Sequence, residues 1–212
     1  MYKLYNVKNW GSLAIHCLLE EMEVPYTNIW MTREQVRAPE YREINPLGFI
    51  PALGLSDGRA LYESAAIVSF LVAAHPDAKM SPPLGSDAYG EFMTLLHVMS
   101  TDLYPVMSAA LGESPYAQGP EHERFIEAKA LEQANDVWKL LEKRLTTSGP
   151  WLMGREFSAL DPYCFMLSRW MLPTEAEHLK RFPALAKLSA AVRSRPKLKA
   201  VLDAHGAMAM AA

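Results

Sequence analysis

Two short segments in the first third of the chain carry residue types from which a site for a small charged molecule can be built. Residues 45–53 read NPLGFIPAL, and residues 61–67 read LYESAAI. In the first, Ile50 precedes Pro51. A proline that starts a strand cannot donate to the sheet, and a cis X-Pro bond turns the preceding N–H and C=O outward to pair with a visiting peptide. In the second, Glu63 and Ser64 stand at the head of a helix-like apolar stretch. Ser64 offers a hydroxyl, a free backbone N–H and the positive end of the helix dipole to a carboxylate, and Glu63 can bind an ammonium group. Pro51 alone is an ordinary strand start, and Ser64 alone an ordinary N-cap. Together they describe a backbone-reading site for a peptide-like molecule carrying both charges.

The surrounding elements must bring these segments together. Residues 2–7 read as a strand, and residues 12–22 carry Leu13, Ala14, Cys17 and Leu18 at helical spacing, ending before Pro25. Residues 26–31 form a second strand pattern, and residues 33–43 a polar helix or loop broken by Pro39. Residues 52–55 and 59–62 flank Ser56-Asp57-Gly58, a hairpin signal in which Gly58 supplies a positive φ. A helix over residues 64–75 completes a βαβ then αββα order, that of the thioredoxin fold. Three prolines between residues 76 and 83 interrupt both periods, so the expected division is 1–77, a linker at 78–86, and 87–212. The second part shows helical patterns only, over residues 87–111 with a kink at Pro105, 121–145, 160–171, and 184–203 with a break at Pro196. The expected fold class is α/β plus all-α.

Composition limits the partners. At 212 residues, half of them apolar, the chain can bury a core without metal or disulfide help. A formal net charge of −3 provides no basic field for nucleic acid or an anionic membrane. Apolar runs are short, and Met1-Tyr2-Lys3 enters a strand-like segment, so a cytoplasmic location is expected. Cys17 and Cys164 lie in apolar helical stretches without metal-ligand spacing and read as inert core thiols. His16, His75 and His97 read as helix residues, since no second ligand stands at i+4, and no metal is expected.

The pattern N-P-x-G-x-x-P-A-L at 45–53, followed by L-x-E-S-x-A-I at 61–67, is similar to the N-terminal domain of the glutathione S-transferases. In the helical half, residues 154–161, GREFSALD, resemble that family's turn before a buried helix, with Ser158 and Asp161 spaced as a capping box and Phe157 placed to pack as a staple. The resemblance implies glutathione as co-substrate, a small hydrophobic electrophile as second substrate, and a homodimer. It implies that Phe49, Ile50, Pro51, Glu63 and Ser64 hold the tripeptide, whose γ-glutamyl head carries both charges.

Residues 6–16 resemble the bacterial beta-class stretch in which a cysteine precedes the serine, but Gly11 takes the cysteine's place. No thiolate of the protein remains there for mixed-disulfide chemistry. Ser12 resembles the catalytic serine of other classes, with Asn9 or a backbone amide as competing donors to the thiol. The stakes are calculable: a thiol of pKa about 8.5 is roughly 3% ionised at pH 7, and a depression of about two units raises that roughly 25-fold. Where beta-class members carry a His-Lys pair, this chain has Tyr104-Pro105, and the Tyr104 hydroxyl can replace one of those contacts. Trp10, Tyr104, Met107 and Trp170 are the expected acceptor-site residues. A glutathione transferase is the expected function. A glutathione-dependent lyase, isomerase or dehalogenase, or a non-catalytic binding protein of the same fold, are the alternatives.

Overall fold

The computed structural model describes residues 1–112 and 114–210, leaving the last two residues of the expected helical region outside the described ones. The first part runs β1 (Tyr2–Asn6), α1 (Ser12–Glu21), β2 (Tyr26–Trp30), α2 (Arg33–Arg37), α3 (Pro39–Arg42), β3 (Ala52–Gly54), β4 (Ala60–Tyr62) and α4 (Ser64–Ala74). The sheet order is β2-β1-β3-β4, with β1 parallel to β2 and antiparallel to β3. A parallel pair needs a crossover, and α1 supplies it. Gly58 closes the β3–β4 hairpin at a φ of 90°, as its sequence implied.

Alternation along the strands assigns the two faces. Leu4 and Leu53 enter one core with Leu13 and Leu18 of α1 and Ile67 and Leu71 of α4. Tyr5 and Ala52 instead join Val36 and Tyr41 in a smaller cluster beneath α2 and α3, which also holds Ile50. Pro39 splits the expected single polar helix in two, because it lacks the N–H that would continue the first.

No helix or strand lies between Ala78 and Asp87. The helical part then runs α5 (Asp87–His97), α6 (Tyr104–Ala110), α7 (Pro120–Ser148), α8 (Leu160–Ser168), α9 (Glu175–Arg181), α10 (Pro183–Arg193) and α11 (Lys199–His205). The expected kink at Pro105 takes the form of a π-helical stretch, Val98–Leu103, on its N-terminal side. The wider turn absorbs the donor that Pro105 lacks. Every residue of α8 is buried, and its core is continuous with that of α1. Half of the expected capping box forms: Asp161 accepts from the Ser158 N–H (2.7 Å), but the Ser158 hydroxyl accepts from the Leu160 N–H (3.3 Å), and the Asp161 N–H donates instead to the Ser158 carbonyl (3.1 Å). Phe157 packs edge-on against Trp151. Helix α9 was not anticipated from the sequence, although Thr174 caps it through Glu177 N–H in a T-x-x-E pattern. Among the described residues no helix is long and apolar enough to cross a membrane.

Three buried histidines are expected to make the fold acid-sensitive. His205 Nδ1 accepts from the Asn9 N–H (3.0 Å), so its Nε2 carries the proton and donates to His16 Nδ1 (3.0 Å), an arrangement of two neutral rings. His178 is packed between Trp138 and Phe182, and its ring nitrogens meet no partner among the described residues. Burial lowers His16 and His178 to about 4 and His205 to about 3. The unfolded chain protonates these rings near pH 6.5, so below that pH it binds more protons than the folded protein, and stability present at pH 7 is lost on acidification. Asp161, raised by burial to about 7, acts in the opposite sense over part of this range, with one proton against three. Urea unfolding at pH 5 should therefore give a stability lower than at pH 7 by about 1–3 kcal/mol. An equal or higher midpoint at pH 5 would contradict these neutral rings.

Candidate functional site

The loop between β1 and α1 is held from both halves of the molecule. Asn9 takes a φ of 59°, a left-handed value that asparagine tolerates. Its side-chain oxygen accepts from Arg169 Nε (2.7 Å), its carbonyl from Trp170 Nε1 (2.9 Å), and its N–H donates to His205. Arg169 is itself buried, donating to Glu175 (3.2 Å) and to the carbonyls of Gly206, Ala207 and Ala209. Asn9 thus fixes the loop, and its side chain is turned toward the guanidinium rather than offered to a ligand.

The expectation for Ser12 needs correcting. Its hydroxyl accepts from Val7 N–H and donates to Val7 C=O, both at 3.2 Å, and the residue is fully buried. The chain leaves the sheet at Val7, and its stranded backbone groups must find partners. Ser12 meets the Val7 N–H and shares the Val7 carbonyl with the Trp10 N–H (3.2 Å), and it does not line the cleft described below.

The NPLGFIP segment is wired by its own asparagine. Asn45 Nδ2 donates to the Phe49 carbonyl (2.7 Å), its Oδ1 accepts from Leu47 N–H (3.1 Å), and its carbonyl accepts from Gly48 N–H (2.8 Å). Tyr41 also donates to the Phe49 carbonyl (2.8 Å). Gly48 takes a φ of 69°, where a side chain would be strained. The peptide before Pro51 is cis, and Ile50 is buried at the edge of the cleft.

At the other side, Glu63 occupies the cap position of α4 and Ser64 its first turn. Glu63 has a φ of 67° and a ψ of 111°, a combination rare outside glycine, and its side chain is exposed. The Ser64 hydroxyl lies 2.7 Å from that of Tyr163, whose phenol burial pushes above its usual range. The first intrahelical bond of α4 is from Ile67 N–H to Glu63 C=O, so the N–H groups of Ser64, Ala65 and Ala66 face outward at the positive end of an eleven-residue helix.

These elements border one cleft of about 900 Å³. Asn9, Trp10, Phe49, Ile50, Pro51, Glu63 and Ser64 line one side of it, and Tyr104 and Trp170 reach it from the helical part. The two rings sit together, centroids 5.0 Å apart. Met107 is absent from the lining: it is fully buried in the main core, one turn from Tyr104 on the face that packs inward, which corrects its expected place in the acceptor site. Sequence reasoning missed Tyr163 and Arg169. A lone arginine following the apolar run 163–167 was the available signal for the second. Among the described residues no three His, Cys, Asp or Glu side chains are grouped to hold a metal. Burial pushes the thiols of Cys17 and Cys164 well above the usual range, which keeps both unreactive.

Comparisons with known proteins agree with this architecture. Residues 12–74 match the family model described as the glutathione S-transferase N-terminal domain, and residues 107–205 the corresponding C-terminal domain. A relative from Escherichia coli O157:H7, glutathione S-transferase GstA, is 26% identical over 208 residues, covering 96% of this chain and 98% of its own. A glutathione transferase structure from Methylococcus capsulatus is 26% identical, with a TM-score of 0.83 over 97% of this chain and 99% of that one. A homologue from Sulfitobacter, solved with bound glutathione, has a TM-score of 0.87 at 23% identity, covering 96% and 98%.

Proposed function

The chain belongs to the glutathione S-transferase family, and from that premise we propose that its cleft binds glutathione and holds the thiol, as thiolate, against a small, partly apolar electrophile. What carries this reading is the sharing of one cleft by the Ile50–Pro51 backbone, the exposed Glu63 and the free N-terminus of α4. The γ-glutamyl carboxylate would meet the N–H groups of residues 64–66, and its ammonium group Glu63. The backbone of Ile50 would pair with the cysteinyl residue, which directs the thiol toward Gly11. Trp10, Tyr104 and Trp170 would bound the acceptor. In conjugation the sulfur lone pair forms the S–C bond while a leaving group departs with its electron pair, or, in addition chemistry, an acceptor carbanion later takes a proton. Proximity and thiolate stabilisation carry the rate. We further propose the division into residues 1–77 and 87–212, a homodimeric assembly and a cytoplasmic location.

Incubation with glutathione and a panel of electrophiles, followed by mass spectrometry, tests the reaction. Accumulation of a glutathione conjugate is the expected result. Product formed with glutathione unchanged would instead assign an isomerase, and no product with any electrophile would leave a binding protein.

A further inference from the structure

Gly11 has a φ of −54° and a ψ of −21°, right-handed values open to every residue, so backbone conformation does not require glycine there. Space does. A Cβ at position 11 would overlap the Tyr104 hydroxyl oxygen, and would lie 3.3 Å from Tyr104 Cζ and 3.2 Å from the Ile50 carbonyl oxygen. A phenol hydroxyl from the helical half thus fills the room that a side chain at the head of α1 would take, beside the backbone proposed to hold the cysteinyl residue.

Building on the glutathione-binding reading above, we infer that Tyr104 is the catalytic residue whose hydroxyl donates a hydrogen bond to the bound glutathione thiolate. The cysteinyl thiol gives its proton to water, and Tyr104 keeps its own, shared with the sulfur. Three observations support the assignment beyond the overlap. The ring is positioned by Trp170, which is pinned through Nε1 to the Asn9 carbonyl (2.9 Å), so the hydroxyl and the loop of Gly11 are fixed by the same indole. The π-helical stretch Val98–Leu103 ends at Tyr104, and such a widened turn re-aims the side chain that follows it. The other expected side-chain donors are turned elsewhere, Ser12 onto Val7 and Asn9 onto Arg169. The remaining titratable side chains lining the cleft are Lys8, Glu63 and His97.

The test is an ultraviolet titration of the thiolate in the glutathione complexes of the wild type, Tyr104→Phe, Gly11→Ala and the double variant Gly11→Ser/Tyr104→Phe. S-methylglutathione, which has no thiol to ionise, reports binding separately. The wild type should hold the thiol about one to two units below its free value near 8.5. Tyr104→Phe should return it most of the way and lower turnover near pH 6.5 by about tenfold, with S-methylglutathione affinity changed by less than about twofold. Gly11→Ala should raise the thiol pKa similarly by displacing the phenol. The double variant, with a hydroxyl placed in the vacated space, should lower it again. A Tyr104→Phe enzyme with wild-type thiol pKa and rate overturns the assignment, and a double variant no better than Tyr104→Phe counts against it. If the wild type binds S-methylglutathione but leaves the glutathione thiol unshifted, only this inference fails. If it binds neither ligand, the glutathione reading fails and takes the inference with it.

Discussion

Asp161→Ala is expected to lower stability by about 3–5 kcal/mol at pH 8, with a fall in melting temperature of about 10 °C or more. The carboxylate is fully buried and accepts from Leu152 N–H (2.9 Å), Ser158 N–H (2.7 Å) and the Ser158 hydroxyl (3.2 Å). Burial raises its pKa to about 7 against the pull of these donors, so at pH 8 the ionised form predominates and satisfies all three. Alanine leaves two buried N–H groups and a hydroxyl without their acceptor, each costing about 1–3 kcal/mol where water cannot replace it. The loss reaches the cleft, because helix α8 carries Tyr163 against Ser64, and Arg169 and Trp170, just beyond its end, against Asn9. Differential scanning calorimetry at pH 8 measures the effect. A shift of less than about 2 °C would show that these hydrogen bonds to Asp161 contribute little to the fold.

Glu63→Gln is expected to weaken glutathione binding by about 10- to 100-fold while leaving the fold intact, the range of a charge-assisted hydrogen bond worth about 1.5–3 kcal/mol. Glutamine keeps the size and one carbonyl oxygen but removes the charge that an ammonium group would meet. The backbone there makes the same point independently. A φ of 67° with a ψ of 111° costs a non-glycine residue about 1–3 kcal/mol, and such strain persists where the surroundings impose it, commonly at ligand sites. Glu63→Gly should accordingly weaken binding without a matching loss of stability.

Much of this arrangement was legible in the residue order, and the exceptions share a cause. Strand alternation, the Ser56–Gly58 turn and the helical periods are local, and they foretold β1 to β4, α1, α4 and the long α7. The Ile50–Pro51 and Glu63–Ser64 segments lie close in sequence and border one cleft. Contacts across the molecule were not legible. Nothing local says that Arg169 will orient Asn9 from 160 positions away, or that the Tyr104 hydroxyl will fill the space beside Gly11. Ser12 misled because a serine at a helix start looks available to a ligand, whereas the Val7 backbone just upstream had the prior need. Met107 misled because a methionine suits a permissive apolar pocket as well as a packed core, and here it is fully buried in the core. Helix α9 escaped notice because two turns of mixed polar residues give little periodicity.

The most direct measurement of the central proposal is calorimetric titration of glutathione into the wild type and Glu63→Gln. Saturable heat is expected in the wild type at one glutathione per chain, with a Kd below about 1 mM, the upper end of ordinary enzyme substrate constants, and a Kd at least about tenfold weaker in the variant. No saturable heat in the wild type, or equal affinity in the two proteins, would contradict it.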